Sequence, residues 1–382
     1  MSTDLAAARA AVVGGDSIGT VLAGASPGAI SIASVAAVGQ GILQQLEGAG
    51  TVLQPLLEDP AVTDVLVNGT EGVWVDRGGG LERVEHESGG LDDPAEVRKL
   101  AVRLAATCGQ RLDDASPIVD GTFPSGVRLH AVLPPLAAEG TIISLRTQRA
   151  VALSLDDLIE SGTASLVMAE TVSAMVSRRA NVMISGATGS GKTTLLSALL
   201  GLVPHEERII VIEESAELRP SHPHCVHLQV RHANVQGAGE VSMSDLVRAA
   251  MRMRPDRLIL GECRGSEVRD VLAALNTGHE GGWATIHANT AQDVPARLVA
   301  LGALAGMSEQ TVAAQASAAL DAVIHIKRTS EGRRIDHVST LTRVGERLIS
   351  APAIIARGNE AEAGPGWQRL AERLRLDPDL LQ

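Results

Sequence analysis

The stretch Gly186, Ala187, Thr188, Gly189, Ser190, Gly191, Lys192, Thr193 limits what this chain can fold into more than any other segment. It fits G-x-x-x-x-G-K-[ST] without departure. An apolar run, NVMIS at 181–185, precedes it, and a helical run beginning with Thr193 and Thr194 (TTLLSALLGL) follows. The three glycines let the backbone curl so that its N–H groups point inward at a helix start, where anions are held. The bland alternative is a Gly-rich turn that binds nothing; the strand before it and the helix after it argue against that. The loop from Gly186 to Thr194 is therefore expected to bind ATP. Lys192 would reach the β- and γ-phosphates, and the Thr193 hydroxyl would help hold Mg²⁺.

Hydrophobic patterning sets the rest of the chain around this loop. Short continuous apolar runs at 181–185, 208–213, 257–261 and 283–287 alternate with helical stretches, the pattern of a parallel sheet covered on both faces. Residues 321–328 and 335–344 suggest further strands. The sequence thus predicts an α/β nucleotide-binding domain over 157–345, joined by a linker at 149–156 to a smaller α+β domain over 36–148. In that first domain, 62–67 and 73–75 read as strands. Residues 93–107 read as a helix with Val97, Leu100, Ala101 and Leu104 on one face. Residues 1–35, rich in Ala, Gly and Ser, are expected to be poorly ordered or partly helical, and 346–382 to form a tail carrying a charged helix.

Binding nucleotide is not hydrolysing it. Hydrolysis needs a carboxylate near Mg²⁺ and another to orient or activate water. In a parallel sheet such groups belong at strand C-termini. Glu213 and Glu214 follow IIVI, and Glu262 follows LILG; an Asp usual in the second nucleotide motif is absent, with Gly261 before the acid. Solvated strand ends are the plainer reading of each glutamate taken alone. His279 and His287 flank the strand 283–287, and a histidine at a strand end can contact a γ-phosphate, although capping or core packing is the commoner role for an isolated histidine.

GATGSGKTT, RIIVIEESAEL, LVRAAMRMRPDRLILGECRG and NTGHEGGWATIHANT, in that order over 186–290, resemble the type II/IV secretion ATPase superfamily. They match its Walker A, Asp box, Walker B and His box. Upstream, LLEDPAVTDVLVNG, RLDDASPIVDGTFPSGVRLHAVLPP and ISLRTQ look like the N-terminal domain of its TadA/CpaF branch, the tight-adherence (Flp) pilus ATPases. The resemblance covers roughly 50–345. It implies a RecA-like P-loop domain and a homo-hexameric ring with ATP between subunits. It also implies a place at the cytoplasmic face of the membrane on an inner-membrane platform protein, with a pilin or secreted substrate moved indirectly. Carried over by position, Glu213 is the catalytic carboxylate, Glu262 the acid near Mg²⁺, and His279 and His287 the His-box pair. Arg128 and Arg146 match arginines that reach toward nucleotide phosphates, and Arg231 and Arg254 are weaker candidates. Two departures stand out: Glu214 where relatives commonly carry Asp, and Trp283 where they carry a smaller residue.

Composition narrows the choice of cargo. A net charge of −12 and only four aromatic residues argue against a nucleic-acid-coating or base-stacking surface, so DNA is the less expected partner and a DNA-transfer motor of the same superfamily the alternative. Three irregularly spaced cysteines, Cys108, Cys225 and Cys263, fit a reducing cytosol better than a disulfide framework. No apolar run reaches the roughly 18 residues of a membrane helix, and the first residues, with Asp4, do not read as a signal peptide. The stretch holding His222, His224, Cys225, His227 and His232 has no clean metal-ligand spacing.

Overall fold

A computed structural model describes residues 49–84, 91–147, 153–231, 238–330, 332–358 and 360–381. The expectation for residues 1–35 lies outside these, as does the first half of the linker expected at 149–156. The chain divides into two compact units, residues 1–150 and 151–382.

The first unit is an antiparallel sheet of six strands in the order β3-β2-β1-β6-β5-β4. The strands are β1 (Asp64–Asn68), β2 (Val73–Asp76), β3 (Leu81–Val84), β4 (Ile118–Thr122), β5 (Arg128–Val132) and β6 (Ile142–Arg146), with helices α1 (Gly50–Glu58) and α2 (Pro94–Thr107). Helix α2 starts where its chemistry allows: the Asp93 side chain accepts from the Ala95 N–H, and Pro94, which lacks a donor, stands at the first position. Val97, Leu100, Ala101 and Leu104 are buried, as their spacing requires. They pack with Val65 and Val67 of β1 and Leu129 of β5 in one core.

The second unit is a nine-stranded sheet in the order β15-β14-β13-β12-β7-β11-β10-β8-β9. From β9 to β12 the strands are parallel. They are β7 (Val182–Gly186), β8 (Ile209–Glu213), β9 (Cys225–Gln229), β10 (Arg257–Leu260), β11 (Trp283–His287) and β12 (Ala322–Thr329). Strands β7, β8 and β10 are buried along their whole length, because alternate residues enter opposite cores. Val182, Ile184, Ile209 and Val211 join one core with α4 (Leu166–Ser177) and α5 (Lys192–Leu200). Met183, Ile210 and Ile212 join the other with α6 (Met243–Ala250), α7 (Val268–Asn276), α8 (Val294–Leu304) and α9 (Glu309–Ala319). The unit opens with a short helix, α3 (Leu155–Glu160), whose Ser154 and Asp157 form a reciprocal capping box.

The segment expected to be a tail is part of this unit. β13 (Gly332–Val344), β14 (Arg347–Arg357) and β15 (Glu360–Ala363) extend the sheet by antiparallel pairing. Helix α10 (Trp367–Leu374) then buries Trp367, Leu370, Ala371 and Leu374 against the first core. Its Trp367 Nε1 donates to the Pro378 carbonyl at 2.7 Å, and Arg373 pairs with Asp321. The domain therefore continues past 345. The charged helix is the closing element of its core, because its apolar residues fall on a single face.

Candidate active site

The parallel strands all point their C-termini to one edge of the sheet, and the groups that bear chemistry collect there. Register fixes their neighbours: His287 lies opposite Gly186 across the β11–β7 pair, and Leu260 opposite Ile212 across β10–β8. The loop after β7 leads into α5, as the motif requires. Lys192, the first residue of that helix, is buried, and its Nζ donates to the carbonyls of Gly186 at 3.0 Å and Ala187 at 2.9 Å. Burial pushes its ammonium pKa down from the ordinary lysine range, and Glu262 partly offsets that push.

From Lys192 a chain of contacts runs to the acids. Lys192 Nζ lies 3.3 Å from His287 Nδ1. An ammonium can only donate, so Nδ1 accepts and the ring proton is assigned to Nε2. Nε2 lies 2.7 Å from Glu262 Oε1. Burial and the positive charge of Lys192 lower the His287 pKa, consistent with a neutral ring. The other Glu262 oxygen meets Arg264 Nη2 at 2.6 Å, and Arg264 Nη1 meets Glu214 at 2.9 Å. Arg264 thus clasps Glu262 and Glu214 together. Sequence reading passed over it, although its position two residues beyond a strand-end acid, in GECRG, was the available signal.

Glu213 is the most buried carboxylate of the group, 4% exposed. Its Oε1 accepts from the backbone N–H groups of Glu217 and Leu218, at 3.0 and 2.9 Å. Burial outweighs those two hydrogen bonds and raises its pKa to about 7. Gly261 explains how the side chain fits: a Cβ there would stand 2.6 Å from Glu213 Cγ. The missing side chain on β10 leaves room for the acid on β8.

One carboxylate oxygen, Glu213 Oε2, is buried with no hydrogen-bond partner, while Glu262 Oε1 is met by the His287 ring. Hard carboxylate oxygens beside a phosphate-binding loop suit Mg²⁺ and its waters, since this ion takes few protein ligands alongside phosphates. Thr193 follows Lys192 in the first turn of α5, so Thr193 and Glu262 fit the metal expected from the motif.

The other expected residues fall elsewhere. His279 precedes β11, whose first residue Trp283 is in register with Val182 at the start of β7. It therefore lies at the far edge of the sheet, beyond the roughly 13 Å that four strand steps span, with Nδ1 3.3 Å from the Ala274 carbonyl. Within one subunit it does not join His287. The sequence sets the two histidines on either side of one strand, and the structure keeps them at its opposite ends. Arg128 and Arg146 face each other directly on β5 and β6 of the first unit, and Arg146 is also opposite Asp64 on β1. Arg231 is tied to the Gly239 carbonyl at 2.5 Å, and Arg254 occupies a left-handed turn with φ 55°. Glu214 does its pairing with Arg264. Trp283 is 3% exposed and fills the core beneath the sheet, a packing role. The His/Cys stretch disperses: His222 bonds the Pro204 carbonyl, His224 bonds Arg208, and Cys225 contacts His227. Among the described residues no three potential ligands gather as a metal site; His232 lies outside them.

Comparison with known proteins adds an independent line. The family description "Type II/IV secretion system protein" matches residues 46–347. A putative conjugal transfer protein of Mycobacterium tuberculosis is 49% identical over 316 residues, covering 81% of this chain and 89% of that protein. The conjugal transfer protein TrbB of Rhizobium radiobacter is 31% identical over 297 residues, covering 76% and 87%. The crystal structure of the pilus retraction motor PilT with bound ADP superposes with a TM-score of 0.52 at 21% identity, over 85% of this chain and 86% of that one. The last is a likeness of fold.

Proposed function

The chain belongs to the type II/IV secretion system protein family, and from that premise we propose that it is a Mg-ATP-hydrolysing motor. The observation that carries the proposal is the convergence of Lys192, His287, Glu262 and the buried Glu213 on one sheet edge. The N–H groups of 189–194 and Lys192 bind the phosphates. Thr193 and Glu262 hold Mg²⁺, which when bound offsets phosphate charge. Glu213, with a pKa near the working pH, takes a proton from the attacking water; a base is most effective when its pKa is so matched. His287 relays the state of the phosphate end to Glu262 and Lys192, both of which it touches. His279 is not among the catalytic groups of this proposal.

Arg128 and Arg146, an adjacent cationic pair in the first unit, supply charge to the phosphates of a neighbouring subunit in a homo-hexameric ring. Such a contribution makes turnover depend on ring geometry. The ring works at the cytoplasmic face of a membrane, through an inner-membrane platform protein. Among the described residues no helix is long and apolar enough to cross a membrane.

Two cargo readings follow. The upstream motifs support assembly of a tight-adherence pilus, or protein secretion; the names of the 49% and 31% identical relatives favour conjugal transfer. Deleting the gene and scoring both surface pili and DNA transfer between cells separates them, since each reading requires loss of its own phenotype. For the chemistry, Lys192→Ala should lose nucleotide binding and turnover. Glu262→Gln should bind Mg-ATP and turn over at least about 100-fold more slowly. Wild-type rings without Mg-dependent ATP hydrolysis would sink the proposal.

A further inference from the structure

Strands β12 and β13 form a hairpin on the opposite side of β7 from the acids. The sheet order places β11, β10 and β8, with His287, Glu262 and Glu213 at or just beyond their ends, on one side of the phosphate-binding strand, and β12 and β13 on the other. β12 pairs with β7 only through His325, so its residues from Ile326 onward run on alongside the loop. At the far end of the hairpin Arg328 and Arg333 are directly opposite each other, and both are exposed. Residues paired this way project to the same face of a sheet. That face is the one carrying Ile326 and Ile335, which are in the same core as α5.

Arg333 folds over the loop itself. Its Nε lies 3.4 Å from the Gly189 carbonyl. Gly191, in a left-handed conformation with φ 100°, has no Cβ where one would stand 2.7 Å from Arg333 Cδ. The third glycine of the motif thus admits this side chain as well as the turn.

We infer that Arg333, assisted by Arg328, is a nucleotide-binding residue that contacts the α-phosphate and nucleoside end of the bound nucleotide. The inference rests on the proposed function, which sets the γ-phosphate toward Glu262 and His287. A triphosphate lying along the loop with that polarity has its α-phosphate and sugar directed toward β12 and β13. A guanidinium suits the task, because it binds phosphate oxygens through a fork of donors and stacks on planar rings.

The test is isothermal titration of the full-length protein with ADP and with the slowly hydrolysed analogue ATPγS, alongside steady-state ATPase kinetics. Loss of a charge-assisted contact weakens binding by roughly 10- to 100-fold. Arg333→Ala should weaken ADP and ATPγS by the same factor and raise KM accordingly. Arg333→Lys should recover part of the affinity, and Arg328→Ala should show a smaller loss of the same kind. Unaltered ADP affinity in an Arg333→Ala protein with wild-type circular dichroism overturns the inference. So does a loss confined to ATPγS, which would place the contact at the γ-phosphate. A wild-type protein that binds neither nucleotide fails differently, removing the proposed function on which the inference stands.

Discussion

Replacing Glu213 with Gln should stabilise the nucleotide-free protein, and by more at alkaline than at acid pH. The folded-state pKa of Glu213 is raised by burial from the ordinary 4.5 to about 7. Between those values the folded protein holds a proton that the unfolded chain has released. The neutral acid is therefore tolerated in the fold, and its stability contribution is fully present below the unfolded pKa. That contribution is lost as pH rises through the folded pKa. A rise of this size corresponds to about 3 kcal/mol, of which about 2 kcal/mol falls between about pH 5.5 and about pH 8.5. Glutamine keeps the Oε1 acceptor for the Glu217 and Leu218 N–H groups and has nothing to ionise.

The assay is urea denaturation of both proteins at the two pH values. It is followed by fluorescence of Trp283 and Trp367, which are both buried in the second unit. The stability difference between variant and wild type should widen by about 2 kcal/mol from the acid to the alkaline condition. At about 2–4 °C per kcal/mol for a unit of this size, melting temperatures should diverge by roughly 4–8 °C over the same interval. A difference that stays constant with pH, or that widens toward acid, refutes the reasoning, because it would mean that Glu213 enters the fold already ionised.

The same group sets two further expectations. If Glu213 accepts the water's proton, kcat/KM should fall on the acid side with an apparent pKa near 7, about tenfold for each pH step below it, and a kcat/KM flat from about pH 5.5 to 8 would remove Glu213 from the role. Gly261→Ala should place a methyl 2.6 Å from Glu213 Cγ, lower stability by about 1–3 kcal/mol through overpacking, and depress kcat more than nucleotide affinity; wild-type kcat in that variant would show that the acid does not need its present position.

What the sequence disclosed followed from how local each signal was. The loop from Gly186 to Thr193 and the buried strands β7, β8, β10 and β11 were legible because each is a contiguous pattern whose meaning does not depend on distant residues. Helix α2 was legible for the same reason, through Val97, Leu100 and Leu104. The segment after 345 was not. Strands β14 and β15 are partnered by β13 and by each other, and nothing within 347–363 says that an edge is waiting for them. His279 and His287 show how strand length converts a short separation in sequence into opposite edges of a sheet. Arg264 and Arg333 went unread for a related reason. Their significance lies in what they touch, Glu262 and Glu214 in one case and the loop backbone in the other.

The departure at Gly261 and the position of Glu213 are two views of a single arrangement. A side chain on Gly261 would collide with Glu213, so an acid at 261 and the present burial of Glu213 exclude each other. The acid of β10 is displaced one residue, to Glu262, where Arg264 and His287 flank it. The contact chain sets cations beside anions, Lys192 and Arg264 with Glu262 and Glu214. A nucleoside triphosphate brings several negative charges, of which Mg²⁺ would offset only part, so cations near the loop add to the hold of its N–H groups and Lys192. Arg333 and Arg328, on the hairpin beside the loop, are cations of that kind. On this reasoning nucleotide affinity draws on arginines outside the loop, and salt should weaken nucleotide binding less in variants that lack them.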